Sequence, residues 1–376
     1  MEALFSAEVM PDWEELVECC IRRRGTPRRV HYFELSLDRE IQAAICRRYG
    51  LLQGLDQADP YFDLRRQVVL RRFLGYDYVT SGVGGFEMPL HGTTIRDTAV
   101  LGHQAGRTYM EEHEGPITNW DQFEAYPWPD AEAFSTRSLE WYEQNLPLDM
   151  CVIGGLAQFA ELLTWLMGYE TLCFSLYDQR DLVAAISERL LGSYRKMLAR
   201  ILQFDRVKLV LGSDDMGFRS ATLISPDDLR EFVLPGHKLM AEMSHAAGRP
   251  YLLHSCGNVE EIMEDLIEDV GIDARHSFED TIERVEDVKD KYGDRIALLG
   301  GIDVDFLCRA DEEQIRRRVR HTLEHCNPGG GYCLGTGNSV ANYIPLDNYL
   351  TMLDEGRRFS GAHRGRVWAG CRMHLI

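Results

Sequence analysis

The sequence has no long apolar run, no leader pattern and no closely spaced cysteine pair, and each absence removes a class of protein. No stretch approaches the roughly 18 apolar residues a membrane helix needs. The opening MEALFSAEVMPDWEE has neither a basic start nor an apolar stretch after it, so no signal peptide is expected. Ten cysteines are present, but none are spaced CxxC, and the neighbours Cys19 and Cys20 cannot easily bridge each other. The expected setting is a reducing cytoplasm with free thiols, where a cysteine beside a histidine reads as a metal ligand before half of a disulfide. Basic residues are outnumbered: 41 Lys and Arg against 60 Asp and Glu leave a formal charge of −19. Such a surface repels nucleic acid and anionic lipid, so neither is expected as a main partner. No low-complexity linker divides the chain.

What is present is a repeated pattern. Short apolar runs that end in Gly, Ser, Asp or His alternate with amphipathic stretches. Strands are predicted at 31–35, 76–83, 150–157, 207–213, 250–255, 273–278, 295–301 and 330–335. Several are continuously apolar, as strands of a parallel sheet covered on both faces are. Ser225 followed by Pro226 predicts a helix start, and further helices are predicted over 259–268 and 312–325. Eight strands alternating with helices predict an α/β fold, a (β/α)8 TIM barrel, as one domain over 1–376 with an N-terminal extension. Segment 84–149, rich in Gly, Pro and aromatic residues, reads as a lid-like insertion covering the barrel mouth.

In such barrels chemistry gathers at the C-terminal ends of the strands. The polar residues there are Asp214 and Asp215, His254 and Cys256, His276, Glu279 and Asp280, Asp303, and Cys333 followed by Thr336 and Asn338. His254 and Cys256, two apart on a strand end, point to one side. Together they can ligate one metal, and imidazole with thiolate suits zinc; the alternative is a buried strand histidine beside a small apolar cysteine. Adjacent residues on an extended chain point opposite ways, so one of Asp214 and Asp215 faces the site. That residue is a candidate acid or orienting group, with capping of a turn as the alternative. Asp303 is equally readable as a cap. His103, Tyr109, Glu112 and His113 in the insertion are weaker candidates for reaching a substrate.

The blocks SDDMGFRSATLISPDDLREFVLPGHK, AAGRPYLLHSCGNVEEIMEDLIEDVGIDARHSFED, KYGDRIALLGGIDVDFL and NPGGGYCLGTGNSV resemble the uroporphyrinogen decarboxylase superfamily over about residues 150–360. The resemblance implies one of two activities at the same barrel mouth: metal-free decarboxylation of a porphyrinogen, or zinc-dependent methyl transfer between a corrinoid and a thiol or methylated small molecule. The decarboxylases carry an RQAGRY segment after strand one and an aspartate at the end of strand two. Here strand one runs into HYFELSLDRE, Ser81-Gly82 stands at the aspartate's place, and HQAGRTY falls after strand two, at 103–109. Without those arginines a polycarboxylate lacks a counter-charge. The methyltransferases' His-x-Cys pair maps onto His254 and Cys256, while their third ligand, a cysteine, aligns with Asn338. Cys333 is then the expected third ligand, with Asp214, Asp215 and Glu161 as alternatives.

The leading expectation is therefore a methyltransferase moving a methyl group between a methoxylated or N-methylated small molecule and a corrinoid protein or thiol. Zinc would be held by His254, Cys256 and Cys333. Asp214, Asp215 and His276 would be catalytic, and Glu279, Asp303 and Asn338 would bind substrate. The corrinoid would come from a partner protein, and a homodimer is the oligomer this fold family suggests. Asp214→Ala is expected to lower turnover far more than stability. Two alternatives stand beside this reading: a metal-free decarboxylase or lyase that moves protons with aspartates and histidine, and a barrel that binds a tetrapyrrole or corrinoid without turning it over.

Overall fold

A computed structural model describes residues 5–102, 106–110 and 113–371. Its strands are β1 (Tyr78–Ser81), β2 (Gly92–Ile95), β3 (Arg107–Met110), β4 (Cys151–Ala157), β5 (Val207–Ser213), β6 (Tyr251–His254), β7 (Ala274–His276), β8 (Ala297–Leu299) and β9 (Tyr332–Cys333). Helices alternate with β4 through β9, and the fold class is α/β, of the TIM-barrel kind. The chain divides into two compact units: Met1–Val79 with Pro147–Cys151 and Ala274–Ile376, and Thr80–Leu146 with Val152–Asp273. No helix of the described residues is long and apolar enough to cross a membrane.

In the second unit β4, β5 and β6 form parallel ladders, with Ile153 beside Leu209, Val210 beside Tyr251 and Ser213 beside His254. Val207, Leu209, Val210, Leu211, Tyr251, Leu252 and Leu253 are all buried. Both faces of these strands are covered, which is why their sequences are apolar without alternation. The helix Pro226–Phe232 begins where its punctuation predicts: the Ser225 hydroxyl accepts the Asp228 N–H, with Pro226 in the first turn. The predicted helix over 259–268 is instead a 3-10 turn, Glu260–Ile262, and a π-helical stretch, Asp265–Val270, that buries Leu266 and Val270. The predicted insertion holds the antiparallel β2–β3 hairpin and the helices Trp120–Ala125 and Arg137–Asn145. It is fastened by the Gly115 and Ile117 N–H groups, which donate to the Met167 and Leu166 carbonyls of the helix Ala160–Met167.

In the first unit β7, β8 and β9 are parallel, with Ala274 beside Ala297 and Leu298 beside Tyr332. The predicted strand at 31–35 shrinks to a bridge between Tyr32 and Leu334, extended by a second between Leu37 and Val340. Its side chains are committed to buried polar networks. The Asp77 carboxylate accepts from the Asp12 N–H at 2.6 Å, from His31 Nδ1 at 2.8 Å and from Arg29, while His31 Nε2 lies 3.0 Å from Glu15. Burial alone would lower the His31 pKa, but the charge and hydrogen bond of Asp77 together with neighbouring Cys20 more than offset it and raise the ring to about 9. Both ring nitrogens are then donors between two carboxylates.

Candidate metal centre

Beyond the ends of β5 and β6, three different donor atoms converge. Asp215, His254 and Cys256 each offer one atom, and all three lie within 4.8 Å of one another. His254 Nε2 stands 3.4 Å from Cys256 Sγ and 3.3 Å from Asp215 Oδ1. Asp215 Oδ1 also accepts the Cys256 N–H at 2.9 Å, so the carboxylate is tied to the segment that carries the other two donors. His254 is buried, whereas the Asp215 side chain is 38% exposed, which leaves one side of the group open. Burial pushes the Asp215 carboxyl up, but hydrogen bonds from His254 and Cys256 and the charge of His254 more than offset it and hold it below its usual range.

Local chain geometry accounts for this convergence. Leu253 and Ser255 face away from His254 and Cys256, as alternation requires. The chain then turns at Gly257, where φ is +77° and a Cβ would stand 2.3 Å from the Gly217 carbonyl oxygen. Only glycine permits both the left-handed backbone and that approach. The loops after β5 and β6 are laced there by Asn258 N–H to Phe218 C=O and Gly217 N–H to Cys256 C=O.

Glu161, in the first turn of the helix Ala160–Met167, lies beside this group. Its carboxylate accepts from Gln158 Nε2 at 2.8 Å. Burial, then the nearby Asp215 and Asp214 charges, push its pKa up to about 8. At neutral pH it therefore holds a proton, which no spacing in the sequence indicates.

The other predicted site residues are placed as follows. Asp214 points away from Asp215. It is fully buried and accepts the N–H groups of Phe159, Ala160 and Glu161, each at 2.9 Å, and His237 Nε2 at 2.8 Å. Those bonds make it a cap for a helix start on a neighbouring strand's connection. Cys333 is not in the three-donor group; it is buried in the first unit, where the Cys20 thiol meets it. His276 is buried with Nε2 at 3.2 Å from the Thr336 carbonyl and its ring against Phe33. Asp303 caps the helix Val304–Arg309 through the Phe306 N–H and also accepts the Asp280 N–H. Asn338 uses its side-chain oxygen on the Ser339 N–H. Glu279 is half-buried and closes a turn with Glu283 through its carbonyl. Tyr109 and His113 are exposed, and His103 and Glu112 lie outside the described residues.

The family model for uroporphyrinogen decarboxylase matches residues 106–359. A methylated-thiol–coenzyme M methyltransferase of Methanosarcina mazei is 34% identical over 130 residues, which is 34% of this chain and 32% of that protein. A uroporphyrinogen decarboxylase of Ralstonia nicotianae is 33% identical over 78 residues, 20% of this chain and 21% of that one. The chain thus aligns with a third or less of the length of these curated relatives. Among solved structures, a methyltransferase from Methanosarcina mazei superposes with a TM-score of 0.65 at 14% identity, covering 93% of this chain and 99% of that one. That likeness establishes the shared fold.

Proposed function

This chain belongs to the uroporphyrinogen decarboxylase family, and from that premise we propose that it is a metal-assisted methyltransferase moving a methyl group between a methylated small molecule and a thiol or a partner's corrinoid. The observation that carries the reading is the Asp215–His254–Cys256 group, three unlike donors within 4.8 Å and open on one side. A nitrogen, a sulfur and an oxygen donor fit zinc, and three protein ligands with a free position are the pattern of a catalytic rather than a structural site. Asp215 takes the third place that the sequence reading gave to Cys333. The similarity to a protein named for a methylated thiol and a thiol coenzyme supports sulfur as one partner in the exchange.

Bound there, zinc would supply Lewis acidity, favouring the anionic form of a substrate sulfur or oxygen at neutral pH. The chain's own residues do the rest. His254, buried, and Cys256, tied through its N–H to Asp215, fix the direction in which a substrate atom is held. Glu161, anchored beside that position by Gln158, stands where it can pass a proton to the leaving atom as the bond to the methyl group breaks,. Asp214 holds the backbone of Glu161 in place.

Elemental analysis of the purified, tag-free protein tests this reading, with a His254→Ala/Cys256→Ser double variant as the control. About one zinc per chain, lost in the variant with the fold retained, is the expected result. A full metal load in the double variant would place the metal elsewhere, and a metal-free wild type would favour decarboxylation by aspartate and histidine instead.

A further inference from the structure

Behind the candidate centre Asp214 continues into a fully buried polar relay whose other two members, His237 and Tyr251, the chemistry above leaves unused. His237 Nε2 is 2.8 Å from Asp214 Oδ2, and His237 Nδ1 is 2.8 Å from the Tyr251 hydroxyl. All three side chains are entirely buried. Asp214 Oδ2 already accepts two backbone N–H groups. An ionised carboxylate only accepts, so its partners assign the proton to Nε2 and make Tyr251 the donor to Nδ1.

The fold keeps space for this relay. A Cβ at Gly212 would stand 2.2 Å from the Tyr251 hydroxyl oxygen, and one at Gly236 would stand 2.5 Å from the Phe159 ring. That ring packs edge-on against His237 at 5.0 Å. Two positions thus lack side chains where the relay and its packing partner pass.

Asp214 is joined to the centre in three ways. Its own N–H donates to the His254 carbonyl at 2.9 Å. The next residue is Asp215. The Asp214 carboxylate accepts the Glu161 N–H. Fixing Asp214 therefore fixes the backbone at two of the three donors and at the acid.

On the metal reading above, we propose that His237 is a positioning residue for the metal centre, acting through Asp214 and held in orientation by Tyr251. Residues that orient ligands from behind typically change metal affinity by 10- to 100-fold when removed. A merely structural histidine would change stability without changing that affinity.

Cobalt(II) titration of metal-stripped protein, read by its visible absorption and paired with thermal melting, separates the two roles. His237→Leu keeps the volume and removes the N–H; it is expected to weaken cobalt binding at least about tenfold. His237→Gln can offer an amide N–H toward Asp214 and is expected to stay within about threefold of wild type. A leucine variant that melts early but binds cobalt normally overturns the proposal. Should the leucine variant not fold, Tyr251→Phe removes only the donor to Nδ1. It is expected to weaken cobalt binding severalfold while the Asp214 carboxylate keeps the proton on Nε2; unchanged cobalt affinity overturns the proposal as well,. Wild-type protein that takes up no cobalt removes the metal reading itself, and this inference with it, whereas equal affinity in wild type and His237→Leu removes the inference alone.

Discussion

Asp214 and Glu34 show how much a single carboxyl group depends on its surroundings. Asp214 is predicted from strand-end position to be an acid, yet its oxygens are consumed by three backbone N–H groups and an imidazole. Asp214→Ala strands those donors in a buried place, and each unsatisfied donor costs about 1–3 kcal/mol. The expected loss is at least about 3 kcal/mol in urea-unfolding stability, larger than any effect confined to turnover. This reverses the order that the sequence suggests. Glu34, in the first unit, is fully buried, and burial raises its pKa to about 8 against the hydrogen bonds from Thr336. The Thr336 hydroxyl lies near both the Asn338 carbonyl, at 2.6 Å, and the Glu34 carboxyl. One hydroxyl proton cannot serve both, so a protonated Glu34 supplies the second. Because its folded pKa is raised from 4.5, its contribution to stability is full below about pH 4.5 and is lost as pH rises through about 8,. The slope is at most about 1.4 kcal/mol per pH unit. Glu34→Gln, which mimics the neutral acid, is expected to remove that slope from unfolding curves recorded between pH 5 and 9.

At the scale of elements, start and stop signals were legible where the side chain that makes them is local. Asp311 accepts the Gln314 N–H while the Gln314 side chain accepts the Asp311 N–H, a closed capping box before the helix Glu312–Cys326. Asp311→Ala is expected to lower stability by about 1 kcal/mol in urea titration, with the site unaffected. Ser225-Pro226 is equally readable. The stretch 259–268 is not: its apolar spacing suits a helix, but the helix it forms is wound as a π turn that ends at Gly271 in the left-handed region. The strand at 31–35 is shortened for a related reason. His31 and Glu34 answer to partners far away in sequence, Asp77 and Thr336, and no local pattern announces them.

For the whole molecule, the clearest prediction concerns ligand-linked stability. A metal that binds the folded chain alone raises its stability by RT ln(1 + [L]/Kd), about 2.7 kcal/mol at a free concentration 100 times Kd. Zinc is therefore expected to raise the melting temperature of metal-stripped wild type by a few degrees, measured by calorimetry, and to leave the His254→Ala/Cys256→Ser variant unmoved. The rise would show that the donors of the centre belong to the cooperatively folded structure, since an unfolded chain presents them far apart.

The sequence by itself determined the α/β alternation, seven of the eight strands, the family, and the His254–Cys256 pair. These rest on hydrophobic period and on residues two apart along one strand, both of which are local. Tertiary structure decided the rest. It brought Asp215 from the neighbouring strand's end to complete the donor group, and turned Asp214 toward a helix start instead. It enclosed Cys333 against Cys20, and gave Glu161 its proton by burying it next to two carboxylates. Each of these depends on contact between segments distant along the chain, and all but the placement of half-exposed Asp215 depend on burial, which changes the free energy of a charge in ways that no spacing along the chain encodes,.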